Sequence, residues 1–311
     1  MKILAQRLKT IRRQRKIRQE VVAEALGLAV TTYRRYEGDQ REPMAPTIAA
    51  MADYFQVSAD YLLGRTDRME GAMAEKKEAR LGILGGMGPQ ATQIFYQRIL
   101  DMTDAATDQA HVPTLIFSDT KMPDRTTAIL GGDAEACYQR LRFGAGLLAE
   151  GGCTVLAIPC NTSHYFADRL QGDVPELKLV HMVRETVGVL AKSGRKRVGI
   201  LATDGTVGTG IYQKECEAAG LECPPLPKSV QALVMSIIYD EIKRGEKGSR
   251  EKFAEIDRCL RTKLNCDGAV LGCTELSVYR AWHGLPEYYL DAMDVLAQRA
   301  ISACGYPLRL V

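Results

Sequence analysis

Two cysteines stand in the same local setting, 113 positions apart: Cys160 in AIPCNTSHY and Cys273 in VLGCTELSVY. Each closes an apolar run of strand character and is followed at once by small polar residues that start helices, Asn-Thr in one case and Thr-Glu in the other. A thiol so placed lies at the carboxyl end of a strand, where open α/β sheets hold ligands. It also lies at a helix N-terminus, whose partial positive charge is expected to lower a thiol pKa from about 8.5. Set on opposite faces of a Cα–H bond, one thiolate can remove the proton while the other thiol delivers one to the far side. Such chemistry needs an acid and a base of matched strength that exchange roles in the reverse direction. Two cysteines meet that need.

Removing an α-proton sends charge into the adjoining carboxylate, which preorganised donors must meet. The amides after each cysteine, with the side chains of Asn161, Thr162 and Thr274, suit this task. A second carboxylate on the ligand calls for a cation, either Arg125 in KMPDRTTAIL, whose fork can grip it twice, or Lys243 in IIYDEIKRGEKG. The plainer alternatives are a surface charge for Lys243 and an inert core thiol for each cysteine, a role that suits Cys137, Cys153, Cys216, Cys259 and Cys304. Cys160 with His164, four apart, could also begin a metal site, but no third or fourth ligand follows at a recognisable spacing. His164 reads instead as a hydrogen-bonding residue at the edge of the site. LGILGGMGPQAT formally satisfies the GxGxxA dinucleotide fingerprint through Gly86, Gly88 and Ala91. Pro89 removes an amide from that turn, so the better expectation is a tight turn bringing backbone amides close to a small ligand, or merely a tight strand-to-helix turn.

The elements that carry these residues follow from the pattern. Short β-rich apolar runs at 81–84, 112–117, 153–158, 178–183, 197–202 and 268–271 alternate with helical segments such as 91–102, 134–149, 207–219, 229–244 and 250–264. That alternation predicts an α/β domain with largely parallel sheets. Residues 1–67 differ, reading as short amphipathic helices. QEVVAEALGLAVTTYRRYEG predicts a helix over 19–26, a turn at Gly27 and a helix over 30–37, with Val22, Ala23 and Leu26 facing Leu28, Tyr33 and Tyr36. Ser58 is placed to cap a last helix that Gly64 ends. Between the two parts, residues 68–79 (RMEGAMAEKKEA) are charged, lack an apolar stripe and read as a linker.

Composition narrows the class. The 311 residues carry a net charge of +3, unevenly spread: residues 1–67 hold 12 Lys/Arg against 8 Asp/Glu, and residues 80–311 hold 26 against 27. The first 18 residues contain eight basic side chains and no acidic one, which suggests an anionic partner for this part alone. Nine scattered cysteines with no CxxC argue against a disulfide framework and a zinc ribbon, and suggest reduced thiols in the cytoplasm. The N-terminal stretch, broken by Arg7 and Lys9, does not read as a signal peptide, and no run reaches the roughly 18 apolar residues of a membrane helix.

The order of features in 1–67 resembles the Cro/CI-type helix-turn-helix family: the helix from Gln19 to Gly27, Tyr36-Glu37, REP at 41–43 and ADYFQVSADYLLG at 52–64. The resemblance implies DNA binding, with Val30, Thr31, Thr32, Arg34 and Arg35 offered to the major groove and Gln19 with Arg18 at phosphates. Ala29 departs from the Ser or Thr that many members carry at that position. Residues 80–311 resemble the aspartate/glutamate racemase family, and its aspartate racemases most closely. GILGGMGPQAT, MPDRTTAIL, PCNTSHYF, LATDGTVGTGIY, IIYDEIKRG, LGCTELSV and LDAMDVLA appear in order. The resemblance implies two similar α/β lobes with a site in their cleft, a homodimer, and an amino-acid racemase needing neither PLP nor a metal. In it Cys160 and Cys273 become the acid/base pair and Asn161, Thr162 and Thr274 hold the α-carboxylate and amino group. Met87 with Gly88 lines the wall, and Arg125 with Lys243 meets the distal carboxylate. The compact members lack the N-terminal part. Aspartate racemisation joined to DNA binding is therefore the expected function. The alternatives are a transcription regulator whose racemase-like domain senses an acidic amino acid, and a two-cysteine relative acting on glutamate or a hydantoin.

Overall fold

The computed structural model describes residues 2–55, 57–67 and 79–309. The chain divides into two compact units, Met1–Glu78 and Ala79–Val311. The expected linker falls almost wholly on residues 68–78, outside the described residues.

The first unit forms because apolar residues recur at helical spacing on five short segments. Helix α1 (Lys2–Gln14) buries Leu4, Leu8 and Ile11. Helices α2 (Gln19–Ala25) and α3 (Val30–Glu37) bury Val22, Ala23, Tyr33 and Tyr36, and are joined through Gly27 at φ +64°. Helices α4 (Ala45–Tyr54) and α5 (Ala59–Leu63) complete the bundle. Ser58 caps α5 by accepting from the Tyr61 amide at 2.8 Å, and Gly64 ends it in the left-handed region, as the sequence predicts. Buried Glu37 closes the centre of the unit. It accepts from Arg12 Nε at 2.5 Å, Arg12 Nη2 at 2.8 Å and Gln19 Nε2 at 2.7 Å.

The second unit is α/β. Strand β1 (Leu81–Gly85) leads into α6 (Pro89–Met102). Then come β2 (Thr114–Ser118), α7 (Arg125–Gly131), α8 (Ala134–Glu150), β3 (Val155–Ala157), α9 (Ala167–Asp173), β4 (Lys178–Leu179) and α10 (Met182–Lys192). The second half runs β5 (Val198–Leu201), α11 (Asp204–Thr209), α12 (Ile211–Ala218), α13 (Lys228–Ser236), α14 (Arg250–Arg258), β6 (Gly268–Leu271), α15 (Thr274–His283), β7 (Tyr289–Asp291) and α16 (Ala292–Ala303). All strands pair in parallel, in two sheets ordered β2-β1-β3-β4 and β5-β6-β7. One apolar core runs through both sheets, from Leu81 and Ile83 through Phe95 to Val198, Val270 and Leu296. It fixes the two halves as one body. Among the described residues no helix is long and apolar enough to cross a membrane.

Several boundaries differ from the sequence expectation. The run 178–183 keeps only Lys178–Leu179 as strand, because the His181 side chain accepts from the Arg184 amide and turns the chain into α10. The segment 207–219 breaks at Gly210, φ +66°. The segment 229–244 leaves α-helical geometry after Ser236 through a π-helical turn, Ile237–Glu241, and a tight 3-10 turn, Ile242–Arg244. The segment 250–264 likewise ends in a π-helical turn, Cys259–Lys263. Strand β7, short and ending in Asp291, is absent from the apolar-run reading.

Candidate functional site

Strand order decides where the two cysteines fall. β3 and β6 are each flanked by strands on both sides, and Cys160 and Cys273 follow their carboxyl ends. After β3 the chain turns tightly, with the Cys160 amide donating to Ile158 O at 2.7 Å. Asn161 then opens a 3-10 turn, Thr162–Phe166. After β6, Gly272 donates to Leu201 O at 2.8 Å, and a Cβ there would sit 3.2 Å from that oxygen and from Ala202 Cβ. Glycine thus lets the backbone pass close to β5 and hand Cys273 to the N-terminus of α15 as its cap. Cys160 is 6% exposed and Cys273 7%.

Both cysteines line one cavity of about 10 Å³, room for roughly one water. Six more of the expected residues line it: Met87, Arg125, Asn161, Thr162, Lys243 and Thr274. Gly88 lies instead on an adjoining chamber of about 550 Å³, which shares Met87, Asp124, Arg125, Lys243 and Glu275 with the small cavity. The two cavities therefore adjoin at those shared side chains.

Arg125 opens α7 and is 8% exposed. Its Nη1 donates to Pro123 O at 3.0 Å and its Nη2 to Met87 O at 3.3 Å, leaving Nε buried without a partner. Burial pulls its pKa down, but the facing Cys160, Asp124 and Glu275 outweigh that and hold the guanidinium more firmly charged. Lys243 Nζ lies 3.7 Å from Glu275 Oε1 and 4.6 Å from the Tyr239 ring centroid, so this cation already has an anionic neighbour. Glu275 Oε2 in turn accepts from Cys273 Sγ at 2.9 Å and from Thr274 Oγ1 at 3.4 Å.

This corrects one expectation outright. Burial first, then the Glu275 carboxylate, push the Cys273 thiol well above the ordinary thiol range, against Lys243 and the helix N-terminus. His164 also differs from its expected place at the rim. It lies buried behind Cys160, with Nδ1 2.9 Å from Cys160 O and its ring 5.1 Å from that of His181.

Two clasps join the halves across the cavity. Asp124 caps α7 through Thr127 and accepts from Tyr239 OH at 3.0 Å. Thr162 Oγ1 lies 2.8 Å from Thr206 Oγ1 and 3.2 Å from Thr203 Oγ1. Asn161 is oriented from behind, its Oδ1 accepting from Tyr212 OH at 2.6 Å, while its Nδ2 is buried with no partner. Asp124, Thr126, Thr203, Tyr239 and Glu275 line the cavity without having been singled out from sequence. Glu275 stands two places after a cysteine already of interest, and Asp124 and Thr126 flank Arg125 in sequence. The glycine-rich turn is tight and lines the larger chamber: Gly86 has φ +91°, a Cβ there would sit 2.4–2.6 Å from Asp119 backbone atoms, and Pro89 takes the first position of α6.

In the first unit, Thr31, Arg34 and Arg35 of α3 are exposed, and Val30 and Thr32 are half-buried. Gln19 is not free to meet a phosphate. Its amide donates to Glu37, and its carbonyl accepts from Arg34 Nε at 3.2 Å. Arg34 also pairs with Glu20 at 2.7 Å. These internal partners leave Arg35, Thr31 and Thr32 as the α3 groups best placed for an outside ligand.

Comparison with known proteins agrees with both units. Residues 84–300 match the family model described as Asp/Glu/Hydantoin racemase, and residues 8–62 the model described as Helix-turn-helix. Over 146 residues the chain is 30% identical to the broad specificity amino-acid racemase RacX of Bacillus subtilis, covering 46% of this chain and 62% of that one. Over 62 residues it is 37% identical to the HTH-type transcriptional regulator YobD of Bacillus subtilis, covering 20% of this chain and 55% of the relative. In both cases the match spans less than two thirds of the relative. Among solved structures, the aspartate racemase of Picrophilus torridus aligns with TM-score 0.62 and 29% identity over 74% of this chain and 96% of that one.

Proposed function

The chain belongs to the Asp/Glu/hydantoin racemase family and carries a helix-turn-helix domain joined to the racemase domain, and from that premise we propose that it interconverts L- and D-aspartate. Cys160 and Cys273 act from opposite faces of Cα, one removing the proton and the other supplying one. As the Cα–H bond breaks, charge moves into the α-carboxylate, and Asn161, Thr162 and Thr274 with the neighbouring amides receive it. Arg125 grips the side-chain carboxylate, with Lys243 beside it. The observation that carries this reading is the single cavity in which two thiols from two central strands meet both cations. Asn161 Nδ2, buried and unpartnered there, is the donor most in need of a ligand oxygen.

Deuterium uptake at Cα in heavy water, with aspartate and glutamate side by side, tests the reading. Uptake and loss of optical activity with aspartate, abolished in Cys160→Ser and in Cys273→Ser, is the expected outcome. Absence of exchange in the reduced wild type would leave the sensor reading, which the helix-turn-helix domain favours. Faster exchange with glutamate would reassign the substrate.

For the first unit the proposal is duplex DNA, met by α3 through Thr31, Thr32 and Arg35. A homodimer would present two such helices about 34 Å apart, or a multiple of it, to a two-fold site. Binding should weaken steeply with salt, with a slope of roughly 0.9 per neutralised phosphate. A duplex panel giving no salt-dependent binding removes DNA from the proposal.

A further inference from the structure

The two thiols have unlike neighbours. Cys160 faces the Arg125 guanidinium, a fixed cation. Cys273 donates to the Glu275 carboxylate at 2.9 Å, and Glu275 is 4% exposed, with Lys243 3.7 Å from its other oxygen. A carboxylate that accepts from a thiol stabilises the S–H form and opposes the thiolate, because the thiolate would lose the hydrogen bond and meet a like charge in a dry site.

We propose that Glu275 is a positioning residue that keeps Cys273 as the protonated thiol of the resting site, so that Cys160 is the sulfur that carries the negative charge. This rests on the racemase reading above. One enantiomer then meets the site ready-made. The Cα–H bond breaks and an S–H bond forms on Cys160, while the Cys273 S–H bond breaks and its proton goes to the far face of Cα. The product leaves with Cys160 as thiol and Cys273 as thiolate, and a solvent proton must return to Cys273 while Cys160 loses its own. The opposite enantiomer reacts with the minor form, in which Cys273 is the thiolate.

This asymmetry cannot be read from kcat/KM. L- and D-aspartate have equal free energy, so the Haldane relation makes kcat/KM identical in both directions at every pH and in every variant. It must be read on the free enzyme, as the titration of one sulfur. The charged and titratable groups around Cys273 are Glu275 on α15, Lys243 from the turn after α13, and Tyr239 and Tyr212 from the second half. Arg125 and Asp124 at the start of α7, and Cys160 itself after β3, line the same cavity. The two tyrosines are held above their ordinary range, chiefly by burial, and Arg125 stays charged, so Glu275 and Lys243 dominate the local balance.

The test is thiolate ultraviolet absorbance of the full-length protein against pH, taken as the difference from its Cys273→Ser variant so that the other eight cysteines cancel. The wild-type Cys273 midpoint should lie above the ordinary thiol range. Glu275→Gln should lower it by more than about one pH unit, and Glu275→Asp should restore part of the shift. The corresponding difference against Cys160→Ser should not move in the same direction. Lys243→Met supplies a check that does not depend on Glu275→Gln folding: losing the cation should raise the Cys273 midpoint further. An unchanged midpoint in Glu275→Gln, equal falls for both sulfurs, or a Lys243→Met midpoint that stays or falls would overturn the proposal. Wild-type deuterium uptake at Cα is measured alongside. Its absence would sink the racemase reading and leave the thiol titration still to be judged on its own.

Discussion

Replacing Arg125 by alanine separates the uses to which one buried guanidinium is put. Arg125 is 8% exposed, donates to the Pro123 and Met87 carbonyls at 3.0 and 3.3 Å, and faces Cys160. The first use is structural. Two carbonyls lose their donor, which costs about 1–3 kcal/mol where the freed space does not admit water. Here the adjoining chamber of about 550 Å³ can supply water, so the low end is expected. The second, on the proposal above, is the cation that faces Cys160, which any substrate would share. The third, also as proposed, is the grip on a side-chain carboxylate, which only an acidic substrate would lose. A charge-assisted hydrogen bond contributes about 1.5–3 kcal/mol, or roughly a 10- to 150-fold change in kcat/KM.

The three uses divide cleanly if aspartate is compared with asparagine, which has nearly the same shape and no side-chain charge. Cα deuterium uptake detects even a poor substrate, and thermal unfolding confirms that the variant is folded. The ratio of kcat/KM for aspartate to that for asparagine should fall by about 10- to 150-fold in Arg125→Ala, beyond whatever both lose in common. Arg125→Lys, which keeps the charge near Cys160 and loses the fork, should fall less in absolute activity while still losing part of the ratio. Equal losses on both substrates would refute the distal-carboxylate role and leave Arg125 as a partner of Cys160 and of the fold.

Other consequences are as direct. Gly86→Ala should destabilise the second unit by more than about 1 kcal/mol, because φ is +91° and the new Cβ would strike Asp119 backbone atoms. Gly146→Ala, in α8 with nothing within 4 Å of the new Cβ, should instead gain up to about 1 kcal/mol, and thermal melts of the pair check both signs. Burial pushes His164 down to about 3 and His181 to about 4, so between roughly pH 6.5 and 4 the unfolded chain binds protons that the folded one refuses. Stability should therefore fall with falling pH in that window by up to about 1.4 kcal/mol per unit for each ring, and urea melts of a His164→Asn/His181→Asn variant should show a shallower fall. Glu37→Ala leaves Arg12 and Gln19 without their buried partner and should cost the first unit about 3–5 kcal/mol, seen as an earlier transition of its helical signal.

How far the sequence could be read depended on whether a residue's role is set by its near neighbours or by distant ones. Helices α2 and α3, the Ser58 cap, the Gly64 stop and the strand-ending cysteines are matters of local period and local donors, and they were legible. Gln19 shows the opposite case. By the helix-turn-helix resemblance it faces an anion, and it does, but the anion is Glu37, eighteen residues on in the same unit. Glu275 is similar. As a residue near a helix start its type is ordinary, whereas its carboxylate reaches Cys273 and Lys243, and only the tertiary fold brings that lysine near. The expected lowering of the Cys273 pKa failed for this reason: a helix N-terminus acts from sequence position, while burial and a facing carboxylate act from the fold, and the latter are larger.

The turn after α13 carries the same lesson into the chemistry. A period of 3.6 continues a helix through 229–244, and Ile237, Ile238 and Ile242 are buried as that pattern requires. Yet the chain widens into a π-helical turn at Ile237–Glu241 and tightens again at Ile242–Arg244. Such a turn holds an extra residue per helical repeat at the cost of poorer hydrogen bonding, and apolar burial alone gives no reason for it. Its two polar products supply one: Tyr239 reaches Asp124 in the opposite half, and Lys243 reaches Glu275 beneath it. Asp124, Lys243 and Glu275 line both the 550 Å³ chamber and the small cavity, and Tyr239 lines the small one. The local departure from helical period thus coincides with the side chains shared by the two cavities, and there the demands of the site outweigh those of the helix.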